Sequence, residues 1–134
     1  MFKETVTYED FNGDMQTDIL YFNLSKSEMM DMEASVEGGY AKFLEEIVKS
    51  EDKVSIMNAF LDLIKKSYGI KSEDGKRFIK NEVIVSEFEQ SLAFEAFFEK
   101  LLNGDETYVN SFVTGIMPKD LVSKMSANPA QLAG

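Results

Sequence analysis

The residues whose types and spacing come closest to a chemical site lie in the segment YEDFNGDMQTDILYF, residues 8–22. Three oxygen-bearing side chains alternate there as the first ligands of a calcium-binding EF-hand loop do, namely Asp10, Asn12 and Asp14. Such a loop also requires a glycine at its sixth position and a bidentate glutamate at its twelfth. Met15 and Tyr21 occupy those positions, so the spacing argues against a calcium site and the segment needs another explanation.

Other catalytic and metal-binding groups are scarce, because the chain contains no cysteine and no histidine. Their absence removes disulfides, the commonest zinc ligands and the usual general base at neutral pH. The carboxylate pairs Glu45-Glu46 and Glu51-Asp52 are adjacent in sequence, and neighbours on a helix do not share a face. We therefore predict a protein that is not an enzyme and that uses no cofactor and no metal.

The overall charge also limits the classes of partner. The chain has 134 residues, with 24 acidic and 14 basic side chains, which gives a net charge of −10. Such a field repels phosphate backbones, so we expect no nucleic-acid partner. No apolar run approaches the roughly 20 residues that a membrane span requires, and the N-terminus does not read as a signal peptide. We expect no membrane partner and an intracellular location.

One basic segment interrupts this acidic chain. YGIKSEDGKRFIKN carries four cations, Lys71, Lys76, Arg77 and Lys80. No glycine-rich turn leads into a helix with the spacing of a phosphate-binding loop. The segment is instead predicted to be a solvated polar connection with a turn at Asp74-Gly75.

The Asn12-Gly13 pair predicts a β-hairpin with a two-residue turn. In that register Tyr8 pairs with Thr17, Val6 with Ile19 and Glu4 with Tyr21. The predicted apolar face of the ribbon is Phe2, Val6, Tyr8, Met15, Ile19 and Tyr21. The predicted polar face is Lys3, Thr5, Thr7, Glu9, Gln16 and Asp18, with Leu20 and Phe22 near the open end. An isolated ribbon is marginal in water, so its apolar face must be covered by helices or by another copy, and its free edges could accept a strand.

Helical patterns occupy the rest of the chain as far as Pro118. Ser25 and Glu28 have the spacing of a capping box, which predicts a helix from Lys26 to about Ala34. Apolar periodicity predicts further helices after the expected N-caps Ser50, Ser91 and Asp105, and Gly69 is expected at a helix C-cap. The segment EVIVSEFEQS fits a short helix or a strand, and we expect a helix.

The predicted fold class is therefore α+β, with an N-terminal β-hairpin followed by five or six short α-helices and a mostly helical content. We expect residues 1–118 to form a single α+β domain. Residues 119–134 are small and polar with little periodicity, and we expect a flexible C-terminal tail there.

Methionine- and phenylalanine-rich segments provide the candidate binding residues. Such clusters fill cores more often than they form binding surfaces. Even so, the apolar faces of many short helices exceed what one small monomer can hide, which predicts self-association. The candidate partner-binding residues are Tyr8, Ile19, Tyr21, Met29, Met32, Phe97, Phe98 and Phe112.

The order of several segments resembles a known family. TVTYEDFNGD and LYFNLSKSEMMDME are followed by a Gly-Gly break, LIKKSYGIKSEDGKRFIKN and FVTGIMP. Across residues 5–118 this order is similar to that of tail assembly chaperones, small acidic proteins of long-tailed bacteriophages of Gram-positive hosts. The resemblance supplies no site residues.

The resemblance implies a function and a set of partners. Such a chaperone binds the phage tape measure protein, keeps it soluble and helps to recruit the tail tube protein. It acts in the host cytoplasm and is absent from the mature virion. The same composition would also suit a structural virion protein for tail completion or head–tail joining. An acidic inhibitor that mimics DNA ranks last, because the acidic residues are spread along every predicted helix.

Overall fold

The computed structural model describes residues 1–118, and the tail predicted for residues 119–134 lies outside the described part. The elements follow in the order β1 (Phe2–Glu9), β2 (Met15–Phe22), α1 (Lys26–Ser35), α2 (Tyr40–Ser50), α3 (Lys53–Ser67), β3 (Tyr68–Lys71), β4 (Phe78–Ile79), α4 (Glu82–Glu89), α5 (Leu92–Asn103) and α6 (Glu106–Ile116). The predicted fold class is confirmed: an N-terminal hairpin is followed by six helices in the described residues, and the content is mostly helical.

The four described strands form an antiparallel sheet in the order β1-β2-β3-β4. β1 and β2 pair along their whole length. β3 pairs with β2 only at Tyr21 and Phe22, which lie opposite Gly69 and Tyr68. The β1–β2 hairpin therefore extends beyond β3, and its tip has no neighbouring strand in the described part of the chain.

The register of the β1–β2 hairpin differs by one residue from the prediction. Tyr8 lies opposite Gln16, and Val6 lies opposite Asp18. The structure therefore contradicts the predicted pairs, which were Tyr8–Thr17, Val6–Ile19 and Glu4–Tyr21.

The cause of the shift is the shape of the turn. A two-residue turn would require positive φ at both Asn12 and Gly13, but only Gly13 has it, at +84°. The N–H of Gly13 donates to the carbonyl of Asp10 (3.0 Å), and the N–H of Asp10 donates to the carbonyl of Asp14 (2.8 Å). This is the three-residue loop in which a type I turn precedes a left-handed glycine.

A one-residue shift moves every side chain of β2 to the opposite face. Leu20 and Phe22 are buried in the core, although they were expected on the polar face. Met15 and Ile19 are exposed, and Tyr21 shares their face of the sheet. The prediction was therefore wrong for these five residues of β2, whereas Phe2 and Val6 of β1 face the core as predicted.

The core lies between the inner face of the sheet and the helices, all six of which contribute buried residues, and the aromatic cluster around Phe22 is contributed largely by α4, α5 and α6. The Phe22 ring stacks on Phe97 with 4.5 Å between centroids. It also meets the edges of Phe88 and Phe112 at 6.1 and 5.6 Å. Such aromatic contacts stabilise a core beyond the area that they bury.

The helix starts follow local side-chain chemistry. The capping box is present: Glu28 accepts from the Ser25 N–H at 2.9 Å, and the Ser25 hydroxyl accepts from the Glu28 N–H at 3.2 Å. Ser91 and Asp105 cap α5 and α6 as predicted. The expected Ser50 cap is wrong, because Ser50 is the last residue of α2 and Asp52 caps α3. The segment that could form a helix or a strand is helix α4.

The second hairpin, β3–β4, was not predicted. The turn at Asp74-Gly75 is present, with Gly75 at φ +75°, but the flanking residues pair as strands rather than forming an irregular connection. Gly69 lies inside β3 rather than at a helix C-cap. It is needed there because an added Cβ would be 2.6 Å from the Phe78 ring and 2.9 Å from the carbonyl oxygen of Ile79.

We predict that Gly69→Ala destabilises the fold. The new methyl group would force β4 away from β3, and overpacking of this kind costs about 1–3 kcal/mol. Urea denaturation followed by circular dichroism would measure the loss. Lys76→Ala, at an exposed position on the turn between β3 and β4, serves as the control and should stay within about 0.5 kcal/mol of the wild type. Equal stability of the two variants would contradict the close approach at Gly69.

Candidate functional site

The most connected polar group in the described residues is the Lys80 ammonium. It donates to both carboxylate oxygens of Glu28 at 2.8 Å and to the carbonyl oxygens of Asn23 and Lys66 at 2.7 and 2.8 Å. The expected solvated connection is therefore wrong at Lys80, whose side chain is only 19% exposed. Lys80 joins the segment after β4 to α1, to the end of β2 and to the end of α3.

The charges of Lys80 and Glu28 stabilise the fold through this contact. Burial acts to raise the pKa of Glu28, but the hydrogen bonds from Lys80 and from the Ser25 N–H outweigh it and lower that pKa. The Lys80 donors are all directed at protein oxygens. Neither group is left available to transfer a proton to a ligand.

Two other carboxylate contacts, both partly buried, lie on the inner face of the β1–β2 hairpin. Glu4 accepts hydrogen bonds from Lys100 and from the Tyr108 hydroxyl, and burial followed by the charge of Glu4 raises the pKa of Tyr108. The Tyr8 hydroxyl donates to Asp18, and this hydrogen bond together with burial raises the pKa of Tyr8 to about 12. Both phenols stay protonated at neutral pH, so these contacts also serve packing.

The acidic loop of the first hairpin uses its own oxygens. One carboxylate oxygen of Asp10 accepts from the N–H groups of Asn12 and Asp14 at 2.9 Å, and the other accepts from the Gln16 amide at 2.8 Å. Within residues 1–118, no group of three or more acidic side chains is placed to hold a metal ion. None of the described helices is long and apolar enough to cross a membrane.

The eight predicted partner-binding residues are divided between the core and the surface. Four of them are buried: Met29, Met32, Phe97 and Phe112. Tyr8 and Phe98 are partly buried against the core. Ile19 and Tyr21 lie together on the outer face of β2. The four buried side chains contact the protein's own interior, so they offer no surface to a partner in this fold.

A different apolar surface lies on α2. We define the α2 stripe as Phe43, Leu44, Ile47 and Val48, whose spacing places them along one side of the helix. Tyr40 is the only buried residue of α2, whereas Phe43 is 38% and Val48 is 59% exposed. Leu44 packs against the core and Ile47 is partly buried, so the exposed part of the stripe is Phe43 and Val48.

The next helix, α3, also exposes apolar side chains. Glu51 and Asp52 connect α2 to α3, and Glu51 adopts the left-handed conformation at φ +56°. Val54 and Met57, in the first turns of α3, are 65% and 39% exposed. The i, i+3, i+4 spacing of the α2 stripe residues in the sequence indicates one apolar face of a helix. The pattern alone does not reveal which stripes remain uncovered.

The outer face of the sheet is the other open surface. β1 presents Lys3, Thr5, Thr7 and Glu9 there, and all four are exposed. The neighbouring positions of β2 include Ile19 and Tyr21, and the Lys71 ammonium lies 5.9 Å from the centre of the Tyr21 ring. This face is mainly polar around a small apolar centre.

A small acidic α+β protein with exposed apolar side chains on one helix is typical of proteins that act by binding other proteins. The sequence matches a family model described as "Phage tail assembly chaperone" over residues 1–132. The chain belongs to that family, which indicates a role in phage tail assembly, and the resemblance noted from the sequence is confirmed. No curated protein and no solved structure matches the chain.

We predict that the contribution of Glu28 to stability depends on pH. Its folded-state pKa lies below the ordinary value of 4.5, so the stabilisation is fully present above that value and is lost as the pH falls through the folded-state pKa. Denaturant unfolding of Glu28→Gln and the wild type should differ most near neutral pH and converge in acid.

Lys80→Gln provides the matched comparison, because it removes the principal donor to Glu28 and leaves the carboxylate in place. The difference in the free energy of unfolding between Lys80→Gln and the double variant Lys80→Gln/Glu28→Gln should then change less with pH than the difference between the wild type and Glu28→Gln. A difference between Glu28→Gln and the wild type that stays constant across the pH range would contradict the assignment.

Proposed function

We propose that this tail assembly chaperone binds the phage tape measure protein through the α2 stripe and keeps that protein soluble until the tail assembles. The exposed side of this stripe, Phe43 and Val48, is the observation that carries the proposal. Tape measure proteins, as implied by the family resemblance, are long and helical. Two amphipathic helices can pack through apolar residues spaced three and four apart, which is the helix-in-groove mode of recognition.

The charges beside the stripe support a protein-binding role. Glu45 and Lys49 form an ion pair of 2.7 Å on α2, and exposed Lys42 and Glu46 lie on the same helix. An apolar centre with charged residues of both signs around it is the usual arrangement of a protein interface. Such a rim lets the helix remain in water while no partner is bound.

The apolar residues at the start of α3 support the same mode of binding. Val54 and Met57 lie within two turns of the connection to α2, and a methionine adapts its shape to different partner side chains. A chaperone that holds a long repetitive helix must accept many similar segments rather than one sequence. An adaptable surface of this kind suits that task.

The proposal also states where the protein acts and that it acts by binding. The protein acts without catalysis, in the host cytoplasm, and aids addition of the tail tube protein before it leaves the assembling tail. It is then absent from the mature virion. Mass spectrometry of purified virions tests this part, and stoichiometric amounts of the chain in the particle would instead favour a structural virion protein.

We predict that the double variant Phe43→Ser/Val48→Ser loses the tape measure complex. Both side chains are exposed, so the fold should be retained while the apolar centre of the surface is removed. Co-expression and co-purification with the tape measure protein encoded by the same phage should show at least about a tenfold loss of affinity, or about 1.4 kcal/mol. The soluble fraction of the tape measure protein should fall with it.

Val83→Ser/Leu102→Ser is the matched control. It removes two exposed apolar side chains of similar size on α4 and α5, away from α2. This control should retain the complex, and circular dichroism should show that both double variants are folded. Wild-type affinity in the Phe43→Ser/Val48→Ser protein would overturn the proposed site.

A further inference from the structure

The free edge of β1 is a second interaction surface, distinct from the α2 stripe. β1 is the outermost strand of the sheet, and within residues 1–118 no strand pairs with its other side. It is eight residues long, whereas β4 at the opposite edge has two. A long unpaired edge is a template for another strand.

The hairpin geometry identifies the backbone groups that point outward. The Asp10 N–H donates to the Asp14 carbonyl, so this pair is hydrogen-bonded across the hairpin, and such pairs alternate along antiparallel strands. Counting back from Asp10, the even-numbered residues of β1 bond to β2. The odd-numbered residues direct their N–H and C=O groups away from it, and these residues are Lys3, Thr5, Thr7 and Glu9.

We propose that a second copy of this chain pairs with the β1 edge in antiparallel orientation, with the twofold axis at Val6. In that register Lys3 lies opposite Glu9 of the second copy, and Thr5 lies opposite its Thr7. Each of these pairs consists of two outward-pointing residues, so each can exchange both N–H···O bonds. The edge is therefore complementary to itself in both charge and hydrogen bonding.

Other registers lack this complementarity. A shift of two residues places Lys3 opposite Thr7 or opposite Phe11, and neither arrangement pairs the two charges. A parallel arrangement in register would place Lys3 beside Lys3 and Glu9 beside Glu9. Opposite charges across a strand pair are favourable and like charges are unfavourable, which selects the arrangement centred on Val6.

The threonines favour a strand partner over a helix partner. Thr5 and Thr7 are β-branched and have high strand propensity, and Thr7 already contacts Thr17 of β2 through the side-chain oxygens at 3.2 Å. Pairing of two copies would join their sheets into one continuous sheet. The α2 stripe takes no part in the pairing, so the proposal stands or falls separately from tape measure binding.

Sedimentation velocity of the purified full-length protein, without any partner, tests the proposal. The wild type should form a dimer. Lys3→Glu and Glu9→Lys each place like charges opposite each other and should each weaken the dimer at least tenfold. An equimolar mixture of the two variants should restore dimerisation, because every Glu then faces a Lys across the pair. The double variant Lys3→Glu/Glu9→Lys should restore it as well.

Lys76→Glu and Glu73→Lys make the same changes in net charge on the β3–β4 turn and should dimerise as the wild type does. Thr5→Pro removes an outward N–H and leaves the β1–β2 bonds in place, so it should abolish the dimer. Circular dichroism checks the fold of each variant, and the charge series decides the outcome if the proline variant is unfolded. The proposal would be overturned if the wild type were monomeric. It would also be overturned if the Lys3 and Glu9 substitutions left the dissociation constant of the dimer unchanged.

Discussion

The hydrogen bonds that Asp10 accepts fix the register of the first hairpin, and the composition of the core depends on that register. Asn12, Asp14 and Gln16 all donate to its carboxylate. The Gln16 hydrogen bond first, and the Asp14 N–H next, lower the pKa of Asp10, so the acceptor remains ionised at neutral pH. A turn one residue shorter would exchange the two faces of β2 and remove Phe22 from the centre of the aromatic core.

The parts of the fold that could be predicted from the sequence are those determined by neighbouring residues. The capping box of Ser25 and Glu28 joins groups three residues apart, and the caps at Ser91 and Asp105 are equally local. The Asn12-Gly13 pair correctly indicated a hairpin, but it suits both a two-residue and a three-residue loop. The choice between them depends on the carboxylate of Asp10. The Asn12-Gly13 pair alone does not include that residue and therefore cannot predict the loop length.

The proposed interaction surface was harder to predict because coverage of a helix depends on distant residues. α2 and α5 both carry clear apolar stripes, yet α5 packs on β1 and buries Phe97, whereas α2 buries only Tyr40. The aromatic residues of α5 suited a core better than a binding face, and Phe97 lies in the core. The β3–β4 hairpin was missed for a related reason: strands of four and two residues are too short to show a period.

A protein that exposes apolar side chains on a helix must also avoid indiscriminate association. The net charge of −10 makes any two copies repel each other at long range, and this repulsion acts on every orientation of approach. Association between copies can then persist only where opposite charges meet locally, as Lys3 and Glu9 would across the β1 edge. The same repulsion opposes contacts between copies through the exposed part of the α2 stripe, which we propose binds a different protein.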